Sequence, residues 1–329
     1  MESEILVLSG GALGGYIHLG ILSSLNYWYN ENIKIFIGSS VGAILSYFLI
    51  IGYSPTELYA TLKDKELLYL KDLVSIFDNI KQEYNLLHSS NYKSSNEAKY
   101  MNLYDHTKIM DIIEEMSLKK IGIKASDLTL ASLYDLFEKE LIVTTCNFTK
   151  SSLEYFTKTS ILQPSCLELL LMSSSVPLIF SPHKYNNELY IDAGVTCNYP
   201  LSYAIKTYPD KKIFGINIKG ISYLNTISFM FGIGKISSEI LEKIEMPENE
   251  RKYFYDFNIN ASNYNLYSYK NSYTIEVFSD SNNYMSNNRK NRELLYRIGL
   301  DVSENINTFF DVIHEIVVIE NNYLTIKNK

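Results

Sequence analysis

Hydrophobic and polar positions near the start of the chain predict two buried strands with a helix between them. Residues 4–8 (EILVL) and 33–37 (IKIFI) are short apolar runs, each followed closely by glycine, as is typical of buried parallel strands. Residues 16–29 carry apolar side chains at helical spacing, and residues 40–51 predict a second helix that ends before a glycine. The chain therefore opens as a β-α-β unit followed by a helix.

The same pattern continues through the middle of the chain. Residues 56–139 are mostly helical by period, with a polar break at 87–99 that predicts a loop. Strands are predicted at 141–146, 153–156, 189–191 and 213–218, and helices at 166–173 and from 201 onward. Recurring strands and helices favour an α/β fold with three layers, α/β/α, around a mostly parallel central sheet.

The pattern weakens beyond residue 220. Residues 221–244 read as an apolar helical region, 272–278 as a strand and 288–310 as a helix. Four basic residues of that last helix predict a solvated face: Arg289, Lys290, Arg292 and Arg297. Because the sequence shows neither repeats nor a linker rich in Pro, Gly or Ser, we expect one domain over residues 1–329.

Composition and charge narrow the class of function. The 329 residues are 46% hydrophobic, enough for a sizeable core, and the net charge of −7 disfavours both nucleic-acid binding and adsorption to anionic lipid by charge. The cysteines at 146, 166 and 197 lack metal-ligand spacing, and no leader pattern precedes them. The apolar stretch 41–52 is shorter than the roughly 20 residues that span a bilayer. We therefore expect a cytoplasmic protein without a transmembrane anchor.

Glycine is concentrated at two strand ends. Seven of the 15 glycines lie within the first 42 residues, and the first cluster is SGGALGG at residues 9–15. It lacks the glycine spacing of a dinucleotide fingerprint, and Tyr16 stands where a Walker motif requires Lys. A glycine turn at a helix N-terminus offers unpaired N–H groups to a developing negative charge, so an oxyanion hole is the remaining interpretation.

The second cluster, Gly38-Ser39-Ser40-Val41-Gly42, lies between an apolar strand and an apolar helix. This G-x-S-x-G pattern in a strand-turn-helix context is typical of a nucleophile elbow, in which a sharp turn exposes the serine hydroxyl above the sheet. Ser40 is then the candidate nucleophile. A turn with a purely structural role is the alternative.

A serine nucleophile needs a base, and no histidine is well placed to supply one. The five histidines are at 18, 88, 106, 183 and 314, and only His314 could complete a triad in the order Ser, acid, His. Asp192 is the better candidate, because it ends a short strand and begins a turn of small residues (YIDAG) where open α/β sheets bind ligands. A capping role for this aspartate is the alternative.

These motifs occur in the order seen in the patatin-like phospholipase family, which the chain resembles. The resemblance rests on SGGALGG at 9–15, GSSVG at 38–42 and IDAGVTCNYP at 191–200, with further similarity in GYIHLGIL at 15–22 and SSSVPLIF at 173–180. It runs from about residue 4 to 218. Residues 219–329 would then be a C-terminal extension of the same domain.

The resemblance implies a fold, a reaction and a set of site residues. It implies the patatin-like three-layer α/β/α fold and a lipid acyl hydrolase of phospholipase A or lysophospholipase type. The reaction would use a Ser-Asp dyad without histidine, metal or organic cofactor. Its substrate would be a phospholipid or other acyl lipid, met by transient peripheral contact with a membrane. The residues implied are Ser40 and Asp192 as the dyad, Gly10, Gly11 and Ala12 as the oxyanion hole, and Gly38 and Gly42 as the elbow glycines.

Two positions depart from the family pattern and keep alternatives open. Gly14 stands where the family usually has Lys or Arg, and Ala193 stands where it has Gly after the aspartate. A catalytically weak or inactive lipid-binding protein of the same fold is therefore one alternative. A hydrolase of small esters or thioesters is another, and a serine esterase with a triad completed by His314 is a third.

Overall fold

The computed structural model describes residues 3–25, 32–65, 106–176, 180–219, 264–269, 271–278 and 289–320. The loop predicted at 87–99 and the helical region predicted at 221–244 lie outside these residues. The other predicted strands are present with ends that differ by at most two residues. The helix predicted at 16–29 ends at Ser24, and the helix predicted at 288–310 continues to Glu320.

Nine strands and eight helices form the described part of the fold. The strands are β1 (Ile5–Leu8), β2 (Ile35–Ser39), β3 (Glu140–Asn147), β4 (Ser152–Phe156), β5 (His183–Tyr185), β6 (Glu188–Asp192), β7 (Ile213–Lys219), β8 (Tyr264–Tyr269) and β9 (Ser272–Phe278). The helices are α1 (Gly15–Ser24), α2 (Val41–Ile50), α3 (Pro55–Leu62), α4 (Thr107–Ile121), α5 (Leu130–Phe137), α6 (Cys166–Ser174), α7 (Leu201–Thr207) and α8 (Arg289–Glu320).

The nine strands form one mixed sheet in the order β5-β6-β3-β2-β1-β7-β9-β8, with β4 also paired to β3. The five central strands, from β3 to β9, run parallel to one another. Strands β4, β5, β6 and β8 pair antiparallel at the two margins. The α/β prediction is confirmed, and the mostly parallel arrangement holds for the centre of the sheet. Strands β8 and β9 extend this same sheet, which supports our proposal that residues 219–329 belong to one domain with the rest.

Alternating side chains on the central strands build a core on each face of the sheet. Leu6 and Leu8 of β1 point into the larger core, with helices α1, α2 and α6, whereas Ile5 and Val7 point into the smaller core beneath α7. Every residue of β1 is therefore buried, which explains why its sequence is continuously apolar.

The register on β3 decides where the ends of β2 and β6 meet. Strand β2 runs parallel to β3 and ends with Ser39 opposite Thr144. Strand β6 runs antiparallel to β3 and ends with Asp192 opposite Thr145. Since β4 occupies the other edge of β3 at these positions, β2 and β6 share one edge and approach each other head-on. The two strands end at neighbouring positions of β3.

Helix α8 contains one departure from the predicted solvated basic face. Arg289, Lys290 and Arg297 are exposed, but Arg292 is only 4% exposed and its Nη1 donates to the Lys65 carbonyl oxygen at 2.9 Å. The prediction is wrong for Arg292, because the surface against which α8 packs lies far away in sequence.

In the part of the chain that the structure describes, no single helix has the length and apolar character of a membrane span. One bent pair, Val41–Ile50 with Pro55–Leu62, meets the length and composition criteria across a 120° bend.

Helices α1 and α8 cross with their backbones in contact at Gly20 and Gly299. A Cβ on Gly20 would overlap the Tyr296 carbonyl oxygen and lie 2.8 Å from the Gly299 Cα. We therefore expect Gly20→Ala to lower the free energy of unfolding by about 2–3 kcal/mol, because the helices would have to separate. Urea unfolding measures this, with Lys290→Ala on the exposed side of α8 as the control. Unchanged stability in Gly20→Ala would contradict this close crossing.

Candidate active site

Ser40 occupies a sharp turn between β2 and α2. Its backbone has φ 53° and ψ −127°, an unusual conformation for a residue other than glycine. The turn is tight enough to require glycine on both sides: a Cβ on Gly38 would lie 2.5 Å from the Ala43 nitrogen, and one on Gly42 would lie 2.6 Å from the Ser9 carbonyl oxygen. This is the geometry that the G-x-S-x-G pattern predicts.

Asp192 lies beside Ser40. Its carboxylate interacts with the Ser40 side chain and accepts the Gly194 N–H at 2.6 Å. Asp192 is only 4% exposed, and this burial raises the pKa of its carboxyl from 3.8 to about 6, although the interactions with Ser40 and Gly194 act in the opposite direction. The pair is thus a hydroxyl with a neighbouring carboxylate of raised basicity.

The turn after Asp192 accommodates alanine at the position where the family pattern has glycine. Ala193 is fully buried and begins a short 3-10 turn, and its carbonyl oxygen accepts the N–H of Thr196 at 2.9 Å and of Cys197 at 2.6 Å. Ala193 has no positive φ, so its Cβ causes no backbone strain. With alanine at this position, the turn that follows Asp192 still forms its hydrogen bonds to Thr196 and Cys197.

The glycine-rich turn lies against the same two residues. A Cβ on Gly10 would lie 3.1 Å from the Ser40 Cβ, which places this turn next to the hydroxyl-bearing residue. Gly11 and Ala12 have positive φ, 156° and 48°, and Ala12 begins the 3-10 turn that leads into α1. The structure therefore brings together all seven residues that the sequence singled out.

The three predicted N–H donors differ in availability. The Gly10 N–H donates to the Asn198 carbonyl oxygen at 3.0 Å, so it already has a partner. Within the described residues, the N–H groups of Gly11 and Ala12 have no hydrogen-bond acceptor. They are the donors that this turn can offer to an oxyanion.

Asn198 is a residue whose place in the site the sequence did not define. Its side-chain Nδ2 donates to the Gly10 carbonyl oxygen at 3.3 Å, while its own carbonyl accepts the Gly10 N–H. Its Oδ1 also lies 3.0 Å from where a Cβ on Gly194 would be. Asn198 therefore joins the glycine-rich turn to the turn after Asp192. The motif Asn198-Tyr199-Pro200 was the only signal for it.

The described histidines have partners other than the Ser40–Asp192 pair. His18 is fully buried, its Nε2 donates to the Ser9 carbonyl oxygen at 3.0 Å, and burial lowers its pKa to about 4. His106 Nε2 lies 3.1 Å from the Ser175 hydroxyl, and burial lowers the pKa of His183. His88 is outside the described residues, and only the backbone of His314 is described, within α8.

Three other kinds of binding feature are an acyl groove, a cavity and a metal site, and none of them is found beside Ser40 and Asp192 in the described residues. An acyl chain needs an apolar groove, and the apolar stretches 41–51 and 221–236 are the two candidates for it by sequence. The first contains helix α2, which is largely buried in the core, and the second is outside the described residues. A cavity of about 520 Å³ lies at the opposite end of the strands, beside Lys34 and Glu140. Within the described ranges, no group of three or more His, Cys, Asp or Glu side chains could hold a metal ion.

Comparison with known proteins identifies a family and two viral proteins that are similar to this chain. The family model described as Patatin-like phospholipase matches residues 6–205. A protein of Invertebrate iridescent virus 6, "Probable lipid hydrolase 463L", is 33% identical over 232 residues, 70% of this chain and 72% of the relative. "Uncharacterized protein R571" of Acanthamoeba polyphaga mimivirus is 29% identical over 205 residues, 61% of this chain and 62% of the relative.

Solved structures show a more distant similarity. Human GIVD cytosolic phospholipase A2 is 8% identical, with a TM-score of 0.47 over 95% of this chain and 62% of that one. The family match covers more than half of the chain and includes the glycine-rich turn, Ser40 and Asp192. The chain belongs to the patatin-like phospholipase family, and this membership supports a lipid hydrolase activity.

Proposed function

We propose that the protein hydrolyses fatty-acyl esters of phospholipids or related lipids, with Ser40 as nucleophile and Asp192 as general base. The placement of the Ser40 side chain beside the buried Asp192 carboxylate, at neighbouring positions of β3, carries this proposal. Family membership and the name of the iridescent-virus relative support the lipid part of it. The chain spans 72% and 62% of its two viral relatives, so a substrate for the whole protein is also part of the proposal.

In the first half of the proposed reaction, Ser40 is acylated. Its Oγ attacks the ester carbonyl carbon while Asp192 takes the hydroxyl proton. The carbonyl oxygen becomes an oxyanion, which the N–H groups of Gly11 and Ala12 stabilise. When the tetrahedral intermediate collapses, the bond to the alcohol oxygen breaks and Asp192 returns its proton to that oxygen. A lysolipid or other alcohol leaves, and Ser40 retains the acyl group.

In the second half, water releases the fatty acid. Asp192 takes a proton from the water as its oxygen attacks the acyl-enzyme, and the Ser40 oxygen then leaves with that proton. A base is most effective when its pKa lies near the working pH, and a carboxyl with a pKa of about 6 is a stronger base than an ordinary aspartate while staying ionised at neutral pH. Burial of Asp192 thus supports a dyad without histidine, because an ordinary aspartate is a weak base at neutral pH.

The turn at Ala193 weakens the alternative that the protein binds lipid without hydrolysing it. It removes one of the two reasons to expect a catalytically silent lipid-binding protein, since Asp192 keeps its Ser40 and Gly194 partners. At Gly14 no cationic side chain is present, so the proposed oxyanion hole consists of backbone donors. The cytoplasmic location and the transient membrane contact remain predictions from the sequence.

The proposal is tested by identifying both the product and the intermediate. Wild-type protein is incubated with vesicles of a phosphatidylcholine carrying different chains at its two positions, and in parallel with a soluble short-chain ester. We expect free fatty acid from the vesicles, and an acyl adduct on the peptide containing Ser40 when the reaction is quenched with acid. Hydrolysis of the soluble ester alone would favour the small-ester alternative. Lipid binding without release of fatty acid would favour the silent binding protein.

A further inference from the structure

The C-terminal end of α6 contacts the backbone of both proposed dyad residues. The Ser40 N–H donates to the Ser173 Oγ at 2.8 Å. The Asp192 N–H donates to the Ser175 carbonyl oxygen at 2.9 Å. These two acceptors lie two residues apart, so one short segment of chain holds Ser40 and Asp192 at the same time.

Ser40 needs this side-chain partner because the sheet offers it none. Strand β2 ends with Ser39 opposite Thr144, and the next position of β3, Thr145, is paired with Asp192 of β6. The Ser40 N–H is thus buried at a place where its ladder partner is already taken. A buried N–H without an acceptor destabilises the fold, and the Ser173 hydroxyl supplies the missing acceptor.

The Ser173 hydroxyl is itself fixed. Ser173 is fully buried, and its Oγ donates to the Thr144 carbonyl oxygen at 2.8 Å while it accepts from Ser40. Thr144 precedes Thr145, the residue in register with Asp192. One hydroxyl therefore connects the Ser40 turn to the strand position beside Asp192.

We propose that Ser173 is a positioning residue that sets the distance between the Ser40 hydroxyl and the Asp192 carboxylate. This inference rests on the proposed function. Ser173 acts through the Ser40 backbone, which has a positive φ and needs external contacts to hold it. Without the hydroxyl, the Ser40 N–H and the Thr144 carbonyl lose their shared partner, and the turn can move away from Asp192. A displacement of about 1 Å between reacting groups can cost roughly 10²-fold in rate.

The neighbouring serine provides a matched control. Ser174 is also buried at the end of α6, but its Oγ donates to the Leu170 carbonyl oxygen of its own helix at 2.7 Å. Ser173→Ala and Ser174→Ala therefore remove the same atom from adjacent buried positions, and only the first touches Ser40. We expect Ser173→Ala to lower kcat about 10- to 100-fold with KM nearly unchanged, and Ser174→Ala to stay within about 3-fold of wild type.

A third variant and a second readout separate positioning from general stability. Ser173→Cys keeps a weak donor and acceptor of similar size, so we expect a kcat between those of wild type and Ser173→Ala. Amide hydrogen exchange at Ser40, followed by mass spectrometry, reports the tether without any substrate. We expect exchange at least tenfold faster in Ser173→Ala, with no change in Ser174→Ala.

The outcomes distinguish this inference from the proposed function. Equal kcat in Ser173→Ala and Ser174→Ala, or unchanged exchange at Ser40, overturns the positioning role. Faster exchange in Ser173→Ala together with no hydrolysis by wild type overturns the proposed function and leaves the tether in place. If Ser173→Ala lowers the free energy of unfolding but leaves kcat unchanged, Ser173 has a structural role and not a positioning role.

Discussion

Ser40→Ala should lower kcat/KM for acyl-ester hydrolysis by about 10⁴- to 10⁶-fold, and Asp192→Asn by about 10²- to 10⁴-fold. Alanine removes the atom that forms the acyl-enzyme, whereas asparagine keeps the shape of Asp192 but cannot take the Ser40 proton. Release of fatty acid from vesicles and hydrolysis of a soluble ester measure both losses. Circular dichroism checks that the variants are folded.

Two exposed residues of the same types serve as controls. Ser202→Ala on α7 and Asp210→Asn, just before β7, make the same chemical changes away from the site. Both should keep wild-type rates. Full activity in Asp192→Asn with complete loss in Ser40→Ala would exclude Asp192 as the base and would favour a histidine in that role.

The pH profile gives the same assignment a second test. Asp192 must be ionised to accept the Ser40 proton, and burial raises its pKa to about 6. We expect kcat/KM of the wild type to fall as pH decreases through about 6 and to be level above it. An apparent pKa near 4 would mean that Asp192 is solvated during catalysis.

Asp192→Asn should also stabilise the protein above pH 6, by up to about 3 kcal/mol. The carboxyl pKa is about 6 in the folded chain and near 3.8 in an ordinary environment, so between these values the folded state holds a proton that the unfolded state has released. The stability contributed by protonated Asp192 is complete below pH 3.8 and is lost as pH rises through 6. Asparagine stays neutral and avoids this loss.

Urea unfolding of wild type and Asp192→Asn at pH 8 and at pH 4 measures the difference. We expect the variant to be more stable at pH 8 and the two proteins to become alike near pH 4. Comparing the two proteins cancels the opposite effect of His18, whose pKa of about 4 makes acidification destabilising in both. A variant less stable than wild type at pH 8 would show that the charged carboxylate is favourable in the fold.

Such a gain in stability with loss of activity would have a simple physical origin. Ionised Asp192 is unfavourable because it is buried, and the interactions with the Ser40 hydroxyl and the Gly194 N–H offset part of that cost. The same burial makes the carboxylate a better base. The proposed catalytic role and the stability cost are therefore two effects of one environment.

The elements around Ser40 could be predicted because their signals are local. A strand with glycine next to its last residue, a sharp turn and an apolar helix are specified within residues 35–50, and the two elbow glycines lie where no Cβ fits. Strand β9 was predicted with its observed ends for the same reason, since apolar and aromatic residues alternate with polar ones along 272–278. The role of these residues in chemistry stays a prediction until the variants are measured.

The margins of the sheet could not be predicted in the same way. An apolar run indicates a strand, but its direction depends on which partner it meets. Strand β6 pairs antiparallel with β5, which precedes it, and also antiparallel with β3. The Gly10 N–H, one of the predicted oxyanion donors, is taken by Asn198, which lies 188 residues later in the chain. Burial of Arg292 likewise depends on the distant Lys65 carbonyl.

The sequence by itself determined the order of the motifs, the residue types at the site and the α/β class, because these follow from spacing and from the steric limits of glycine. Only the tertiary structure decided that β2 and β6 end at neighbouring positions of β3, and that Ser173 and Asn198 hold the turns between them. The physical reason is that register, burial and the pKa of Asp192 arise from contacts between segments that lie far apart in sequence.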